Sequence, residues 1–135
     1  MKNVTLKRKK KGFTLIELIA VVAIIGILAA ILVPKIAGYM NEAKKTKVID
    51  QARKVVMAVD TYQMRRDTTF TGTKVSDVIA NASIKEYLGG DSVTLDNTLP
   101  NLTADMTVAD CRAIVENNSD FKLGKSDKFS QLITQ

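Results

Sequence analysis

The sequence predicts an α+β protein in which one long N-terminal α-helix carries a small C-terminal head of short helices and a few strands. An apolar run covers residues 13–33, and apolar residues at spacings of three and four then continue over residues 35–67. After residue 68, short apolar stretches alternate with turns that contain Gly, Pro and Thr. We therefore expect a helix over about residues 13–67, kinked at Pro34, with its second half packed against the head.

The first twelve residues are expected to form a separate basic leader. They carry six positive charges and no acid, and the remaining 14 basic residues match the 14 acidic ones. The formal net charge of +6 therefore belongs to this end of the chain. Because the rest of the chain is formally neutral, we do not expect it to bind nucleic acid or another polyanion.

The composition also argues against catalysis. The chain has no His and one Cys, so metal sites, His-based acid–base catalysis and Cys–His nucleophiles are nearly excluded. Cys111 has no second cysteine to pair with inside the chain. We expect no enzymatic activity, no cofactor and no metal site.

Residues 13–34 have the length and polarity of a membrane-spanning helix. Every residue from Leu18 to Val33 is Leu, Ile, Ala, Val or Gly, and only Thr14 and Glu17 interrupt the preceding part. A helix of residues 13–33 spans about 31 Å, which is close to the thickness of a bilayer core. Because the denser positive cluster precedes it, the N-terminus should stay in the cytoplasm.

Two ordinary interpretations of this segment leave features unexplained. A secretory signal peptide would end at an Ala-x-Ala-like site, but this run ends in Val33-Pro34-Lys35 and continues as helix. A plain membrane anchor does not account for Glu17, since an acid in the apolar core costs about 3 kcal/mol.

A third interpretation gives Glu17 a partner. Cleavage between Gly12 and Phe13 would create an α-amine four residues before Glu17, and this amine is largely protonated near neutral pH. The terminus of the same chain or of a neighbouring subunit could meet the carboxylate. An ion pair at about 4 Å, with an effective dielectric constant near 20, is worth about 4 kcal/mol before desolvation. That attraction offsets the insertion cost of the acid.

These residues carry a resemblance to a known family. The stretch Lys-Lys-Lys-Gly-Phe-Thr-Leu-Ile-Glu-Leu at residues 9–18, with the apolar run and Pro34, closely resembles the class III signal of type IV prepilins. The resemblance covers residues 1 to about 43. It implies cleavage after Gly12 by a membrane aspartyl prepilin peptidase, and N-methylation of Phe13 by the same enzyme.

The resemblance also implies partners and a location. A cytoplasmic ATPase and a membrane platform protein would assemble mature subunits into a homo-oligomeric helical filament. Before assembly, the subunit would be a single-pass protein of the inner or cytoplasmic membrane, in contact with lipid. After assembly it would belong to an extracellular pilus, with roles of the adhesion and motility type.

Gly26 and Pro34 are candidates for helix flexibility. Pro34 lacks an N–H and its ring crowds the carbonyl of Ala30, while Gly26 weakens a helix by about 1 kcal/mol relative to Ala. In filaments of similar pilins the stretch between these positions is extended, and we expect the same here. The alternative is that Gly26 only allows close helix packing.

The second half of the helix, residues 35–67, is expected to form part of the head. Charged residues occupy one face, and an apolar stripe occupies the other. The stripe consists of Ile36, Met40, Ala43, Val48, Ala52, Val55, Val56, Val59 and Tyr62. Without this stripe, residues 68–135 could not bury a sufficient core, so the head and the helix should form one unit.

The C-terminal region, residues 68–135, is expected to contain several short elements. Thr68–Thr73 is predicted as a loop, and Ser76 as the cap of a helix over 77–88 that stops at Gly89-Gly90. Residues 92–96 are predicted as a strand and residues 97–101 as a turn. Thr107 is expected to cap a helix through Glu116, and the strands 121–123 and 129–133 should follow.

The sequence also indicates how the C-terminus is held to the head. Cys111 should lie on the inward face of its helix as a small apolar residue, although a reactive thiol is the alternative. Many pilins close the C-terminal loop with a disulfide, which this chain cannot form. Packing of Phe129, Leu132 and Ile133 is expected to hold the C-terminus instead.

The sequence favours a pilus subunit over two alternatives. A pseudopilin or minor pilin of a type II secretion or DNA-uptake system shares the N-terminal signal, although Glu17 argues against those minor subunits that replace it with an apolar residue. A single-span anchored binding domain would keep residues 1–12 and form no fibres.

Overall fold

The structure, a computed structural model, describes residues 11–133; residues 1–10 of the predicted leader lie outside the described residues. The elements in chain order are α1 (Leu15–Arg66), α2 (Val75–Ala80), α3 (Ala82–Leu88), α4 (Leu95–Thr98), α5 (Val108–Glu116), β1 (Phe121–Leu123), a 3₁₀ turn (Lys125–Asp127) and β2 (Phe129–Leu132). The predicted α+β class, with a long N-terminal helix followed by short helices and strands, is confirmed.

The contacts within the chain divide it into two units, one up to Tyr39 and one from Met40. In the first unit, every described residue is exposed. Helix α1 continues through Pro34 without interruption, and the kink predicted at this residue stays a prediction. The described part of the first unit, residues 11–39, therefore consists of the uncovered first part of α1 and the short segment before it.

The second unit has a hydrophobic core built around α1. The members of the predicted stripe that the core buries are Val48, Ala52, Val55, Val56 and Val59, and Tyr62 packs against them half-buried. The prediction was wrong for Ile36, Met40 and Ala43, which are exposed because the described core begins only at Val48. Ala58 and Gln51 are buried as well, although neither was predicted.

The helix predicted over residues 77–88 is two helices. The side chain of Asn81 accepts hydrogen bonds from the backbone N–H groups of Ser83 and Ile84, at 3.0 and 3.2 Å, and this cap starts α3. The N-cap position of helix α2 is Lys74, not Ser76, and there the Asp77 carboxylate accepts from the backbone N–H of Lys74 at 2.9 Å. The predicted stop is confirmed, since α3 ends at Leu88 before Gly89 and Gly90 at φ of 133° and 89°.

The predicted strand over residues 92–96 was wrong. Thr94 and Asn97 form a reciprocal capping box, in which the Asn97 N–H donates to the Thr94 hydroxyl and the Thr94 N–H donates to the Asn97 side chain. This box starts the one-turn helix α4, which also takes up the first part of the turn predicted over residues 97–101. The capping hydrogen bonds thus outweigh the strand preference of the β-branched residues in this stretch.

The last helix and the two strands after it were predicted, although β2 ends at Leu132 and not at residue 133. Thr107 caps α5 in a capping box with Asp110, and Cys111 is fully buried on the inner face of the helix. Strands β1 and β2 pair antiparallel, with Phe121 opposite Leu132 and a register irregularity after Lys122. Phe129 is buried and Leu132 packs against the core, but Ile133 is 37% exposed and does not belong to it.

A hydrogen-bonded clasp also holds the hairpin to α1. Gln51 donates to the side-chain oxygen of Asn101 at 2.9 Å and accepts from its backbone N–H at 2.9 Å. Asn101 in turn donates to the carbonyl of Asp127 at 3.2 Å and accepts from the N–H of Phe129 at 2.9 Å. The exposed ion pairs Lys44–Asp127 and Lys45–Asp120, at 3.1 and 2.6 Å, join the same segments.

The loop after α1 contains a glycine that a methyl group would disturb. A Cβ at Gly72 would overlap the ring of Phe70 and lie 2.7 Å from the Cβ of Asp77. We expect Gly72→Ala to displace Phe70 and to lower the free energy of unfolding by about 1–3 kcal/mol, measured by thermal denaturation. Gly38→Ala is the control, because its Cβ would meet nothing within 4 Å. Equal stability of the two variants would contradict this packing.

Candidate functional site

The N-terminal end of α1 is closed by a capping box that involves Glu17. The backbone N–H and the hydroxyl of Thr14 donate to the Glu17 Oε2 at 2.8 and 2.9 Å. The Glu17 N–H donates back to the Thr14 hydroxyl at 3.3 Å. Glu17 therefore has a local partner within the single, uncut chain. Thr14 was not predicted as a cap, although Thr-x-x-Glu before an apolar run is the signature of this motif.

The predicted processing site precedes the helix. Gly12 and Phe13 lie in a non-helical segment, and the Phe13 side chain is 90% exposed. Gly12 and Phe13 are joined by a peptide bond, so the pairing of a Phe13 α-amine with Glu17 stays a prediction. In this structure the Glu17 carboxylate accepts its hydrogen bonds from Thr14.

The first part of α1 exposes an unusually large apolar surface. Helix α1 is the one helix within residues 11–133 that is long and apolar enough to cross a membrane. Its apolar first part is not buried anywhere in the single chain. A contiguous apolar surface of this size requires cover from lipid or from other protein chains.

Gly26 and Pro34 both lie inside α1. A Cβ at Gly26 would meet nothing within 4 Å, so any close helix packing at Gly26 would involve another chain. Pro34 is accommodated inside the continuous helix. The loss of helix between these residues in a fibre stays a prediction.

The described part of the head contains no constellation that resembles an active site. Within residues 11–133, no group of three or more His, Cys, Asp or Glu side chains could hold a metal ion. The Cys111 thiol is buried, and this burial raises its pKa to about 12. A thiol with so high a pKa is a poor nucleophile, so the interpretation of Cys111 as a small apolar core residue is favoured.

Acidic side chains at the surface of the head make it sensitive to low pH. The ammonium group of Lys45 lowers the pKa of Asp120, and the backbone N–H groups of Lys74 and Thr73 lower that of Asp77. Each carboxylate thus stabilises the folded head above its ordinary pKa of 3.8, and this contribution is lost as the pH falls through the lower folded value.

We therefore expect the thermal midpoint of the head to be constant near neutral pH and to fall below pH 3.8. Thermal denaturation followed by circular dichroism over a pH series measures this dependence. Lys45→Met should reduce the loss at acid pH, since it removes the main cause of the shift at Asp120. Because the chain has no His, a transition near neutral pH would contradict the expectation.

Known protein families and relatives match both the N-terminal segment and most of the rest of the chain. The prokaryotic N-terminal methylation motif matches residues 7–33. The type IV major fimbrial protein FimA of Dichelobacter nodosus is 31% identical over 137 aligned residues, which cover 93% of this chain and 84% of FimA. Fimbrial protein Q of Moraxella bovis is 41% identical over 50% of this chain and 43% of its own length.

A second kind of relative matches over a shorter region. The type II secretion system core protein G of Pseudomonas aeruginosa is 40% identical over 43% of this chain and 41% of its own length. No solved structure matches significantly. The methylation motif ends at the residue before Pro34, and the similarity to FimA continues over nearly the whole chain, head included. On these grounds the chain belongs to the type IV pilin family.

Proposed function

We propose that the protein is a structural subunit of a type IV pilus that is stored in the membrane and polymerises through the first part of α1. The observation that carries this proposal is the coincidence of the methylation motif with the first part of α1, in which every apolar side chain up to Val33 is exposed. Lipid covers such a helix before assembly, and neighbouring subunits cover it in a fibre. A structural role of this kind requires no catalytic group.

The processing of the subunit follows from the same segment. Residues 1–12 would be removed by a prepilin peptidase, and Phe13 would then carry a methylated, cationic α-amine. In the membrane the N-terminus would face the cytoplasm, because the basic cluster precedes the apolar run. An assembly ATPase and a platform protein would extract the subunit and add it to the extracellular fibre.

The charge of the new terminus gives Glu17 its role in assembly. While the subunit is alone, the carboxylate accepts hydrogen bonds from Thr14. In a packed bundle, the Phe13 amine of the same or a neighbouring subunit would neutralise it. A helix shifted along its neighbour would leave the charges unpaired among apolar side chains, so the pair would set the register of the subunits.

Each segment of the chain would then have its own place in the fibre. Residues 13–34 would form the apolar core of the fibre, with Gly26 and Pro34 allowing the helix to open between them. Residues 35–67 would connect this core to the head, and residues 68–135 would complete the head and its outer surface. The packing of the head against α1 from Val48 onward supports the assignment of the second half of the helix to the head.

A pseudopilin or minor pilin is the second candidate. The match to the type II secretion protein G favours it, but that match covers less than half of either chain. The match to FimA covers 93% of this chain, which favours a pilus subunit. A non-assembling anchored domain has no comparable support.

Fractionation of cells separates these candidates. A major pilus subunit should be the dominant protein in fibres sheared from the cell surface, and antibodies to the head should label those fibres along their length. A pseudopilin should stay with the cell envelope, and labelling confined to fibre tips would indicate a minor pilin. Recovery of the protein only from membranes, as an unassembled chain, would overturn the proposal.

A further inference from the structure

The second unit leaves an apolar groove uncovered between α1 and α3. Its volume is about 390 Å³, and we call it the methionine groove; it is lined by Lys54, Met57, Ala58, Thr61, Tyr87 and Leu88. The Met57 side chain is 62% exposed in the structure. Exposed methionines suit protein interfaces, because the flexible thioether chain adapts to a partner surface.

The rim of the methionine groove is basic. Lys54 lines it directly, and the guanidinium group of Arg65 lies 5.8 Å from the centre of the Tyr87 ring. The ion pair of Lys54 with Asp50, at 3.4 Å, joins two largely exposed side chains and is therefore weak. The groove thus fits an occupant that combines apolar side chains with a nearby acid.

The chain itself carries such a surface. Tyr39 and Met40 follow Ile36 by three and four residues, which are helical spacings, and the three side chains are 50%, 73% and 54% exposed in the order Ile36, Tyr39, Met40. They lie after Lys35, beyond the apolar run that a bilayer core would cover. Glu42 follows three residues after Tyr39 and is exposed as well. We call Ile36, Tyr39 and Met40 the uncovered patch.

We propose that in the fibre the uncovered patch of one subunit docks in the methionine groove of another subunit, with Glu42 of the first beside Lys54 of the second. The inference rests on the proposed function, since it needs an assembled polymer. It gives cover to two apolar surfaces that the single chain leaves open, and it pairs an exposed acid with an exposed base.

The two surfaces belong to different parts of the same chain, so the contact is heterologous. Each subunit offers its patch to one neighbour and its groove to another. Such a contact repeats from subunit to subunit and produces an open polymer when the rotation between subunits does not close a ring, whereas a self-complementary contact would close as a dimer. The occupant that fits best is therefore a second copy of this chain.

Disulfide trapping in sheared fibres tests this contact. The full chain with Tyr39→Cys and Met57→Cys is produced in cells that assemble it, and its fibres are oxidised mildly. We expect a ladder of linked subunits beyond the dimer on non-reducing gels. The native Cys111 should add no background, because it is fully buried and its pKa is about 12.

The matched control combines Tyr39→Cys with Asn117→Cys, since Asn117 is exposed at the end of α5 and outside the groove. It should give fibres without a ladder. Fibres of the Tyr39–Met57 variant that yield only monomers would overturn the docking proposal and leave the proposed function intact. Failure of the unchanged chain to form fibres would overturn the proposed function instead.

If the double-cysteine variant does not assemble, exchanging the charges of Glu42 and Lys54 tests the contact instead. Glu42→Lys and Lys54→Glu should each reduce the yield of sheared fibres about two- to fivefold, the factor typical of an exposed ion pair. The double variant should recover the yield of the unchanged chain. A double variant that assembles no better than the single variants would overturn the proposal.

Discussion

Glu17→Ala is expected to reduce the yield of fibres about a hundredfold, while cleavage after Gly12 continues. The reason is that the Phe13 ammonium group would then lie among apolar side chains without a counter-ion, at a cost of about 3 kcal/mol. The amount of subunit in sheared fibres measures assembly. The size of the membrane-bound subunit shows whether the leader has been cleaved.

Two further variants separate the charge of Glu17 from its capping role. Glu17→Gln keeps an oxygen that can accept from the N–H and hydroxyl of Thr14 but removes the charge. It should fail in assembly as Glu17→Ala does. Thr14→Val removes the capping hydroxyl and keeps the acid, and it should cost only about 1 kcal/mol of helix stability. Normal fibre yield with Glu17→Gln would show that capping, and not charge pairing, explains Glu17.

Asn101→Ala is expected to produce a large loss of stability in the head. The change removes the acceptor for the Gln51 amide and the donor to the Asp127 carbonyl, and Gln51 is only 8% exposed. Buried polar groups left without partners cost about 1–3 kcal/mol each, so we expect a loss of about 2–3 kcal/mol. For a head of this size the thermal midpoint should fall by about 10 °C.

Hydrogen exchange locates the effect. If the clasp holds the C-terminal hairpin, amides of β1 and β2 should exchange faster in Asn101→Ala, while amides in the middle of α5 should change less. Asn117→Ala, at an exposed position, is the control and should leave the midpoint unchanged. An equal loss in both variants, or unchanged exchange in the hairpin, would contradict the role assigned to the clasp.

The N-terminal half was predictable because its signals are local. The apolar run, the basic residues before it and the offset between Gly12 and Glu17 are all visible in the sequence, and the methylation motif confirms their family. The capping role of Thr14 was equally predictable from Thr-x-x-Glu before the apolar run, but the charge of Glu17 indicates a cationic partner just as directly. The exposure of Ile36 and Met40 could not be predicted, since periodicity indicates an apolar face but not which surface covers it.

The head was predictable where a cap and an apolar stripe agree, as at Thr107 and α5. It was not predictable at residues 92–96, where Val93 and Thr94 favour a strand but the side chains of Thr94 and Asn97 close a helical turn. The clasp between Gln51 and Asn101 joins positions 50 residues apart and leaves no local signal. Only tertiary packing brings such a pair together.

Mass spectrometry of the N-terminus of subunits purified from sheared fibres tests the central claim most directly. We expect a chain that begins at Phe13 and carries one added methyl group on its α-amine. A fibre subunit that still begins at Met1, or one whose terminus is blocked without a positive charge, would contradict the pairing of a new cationic terminus with Glu17.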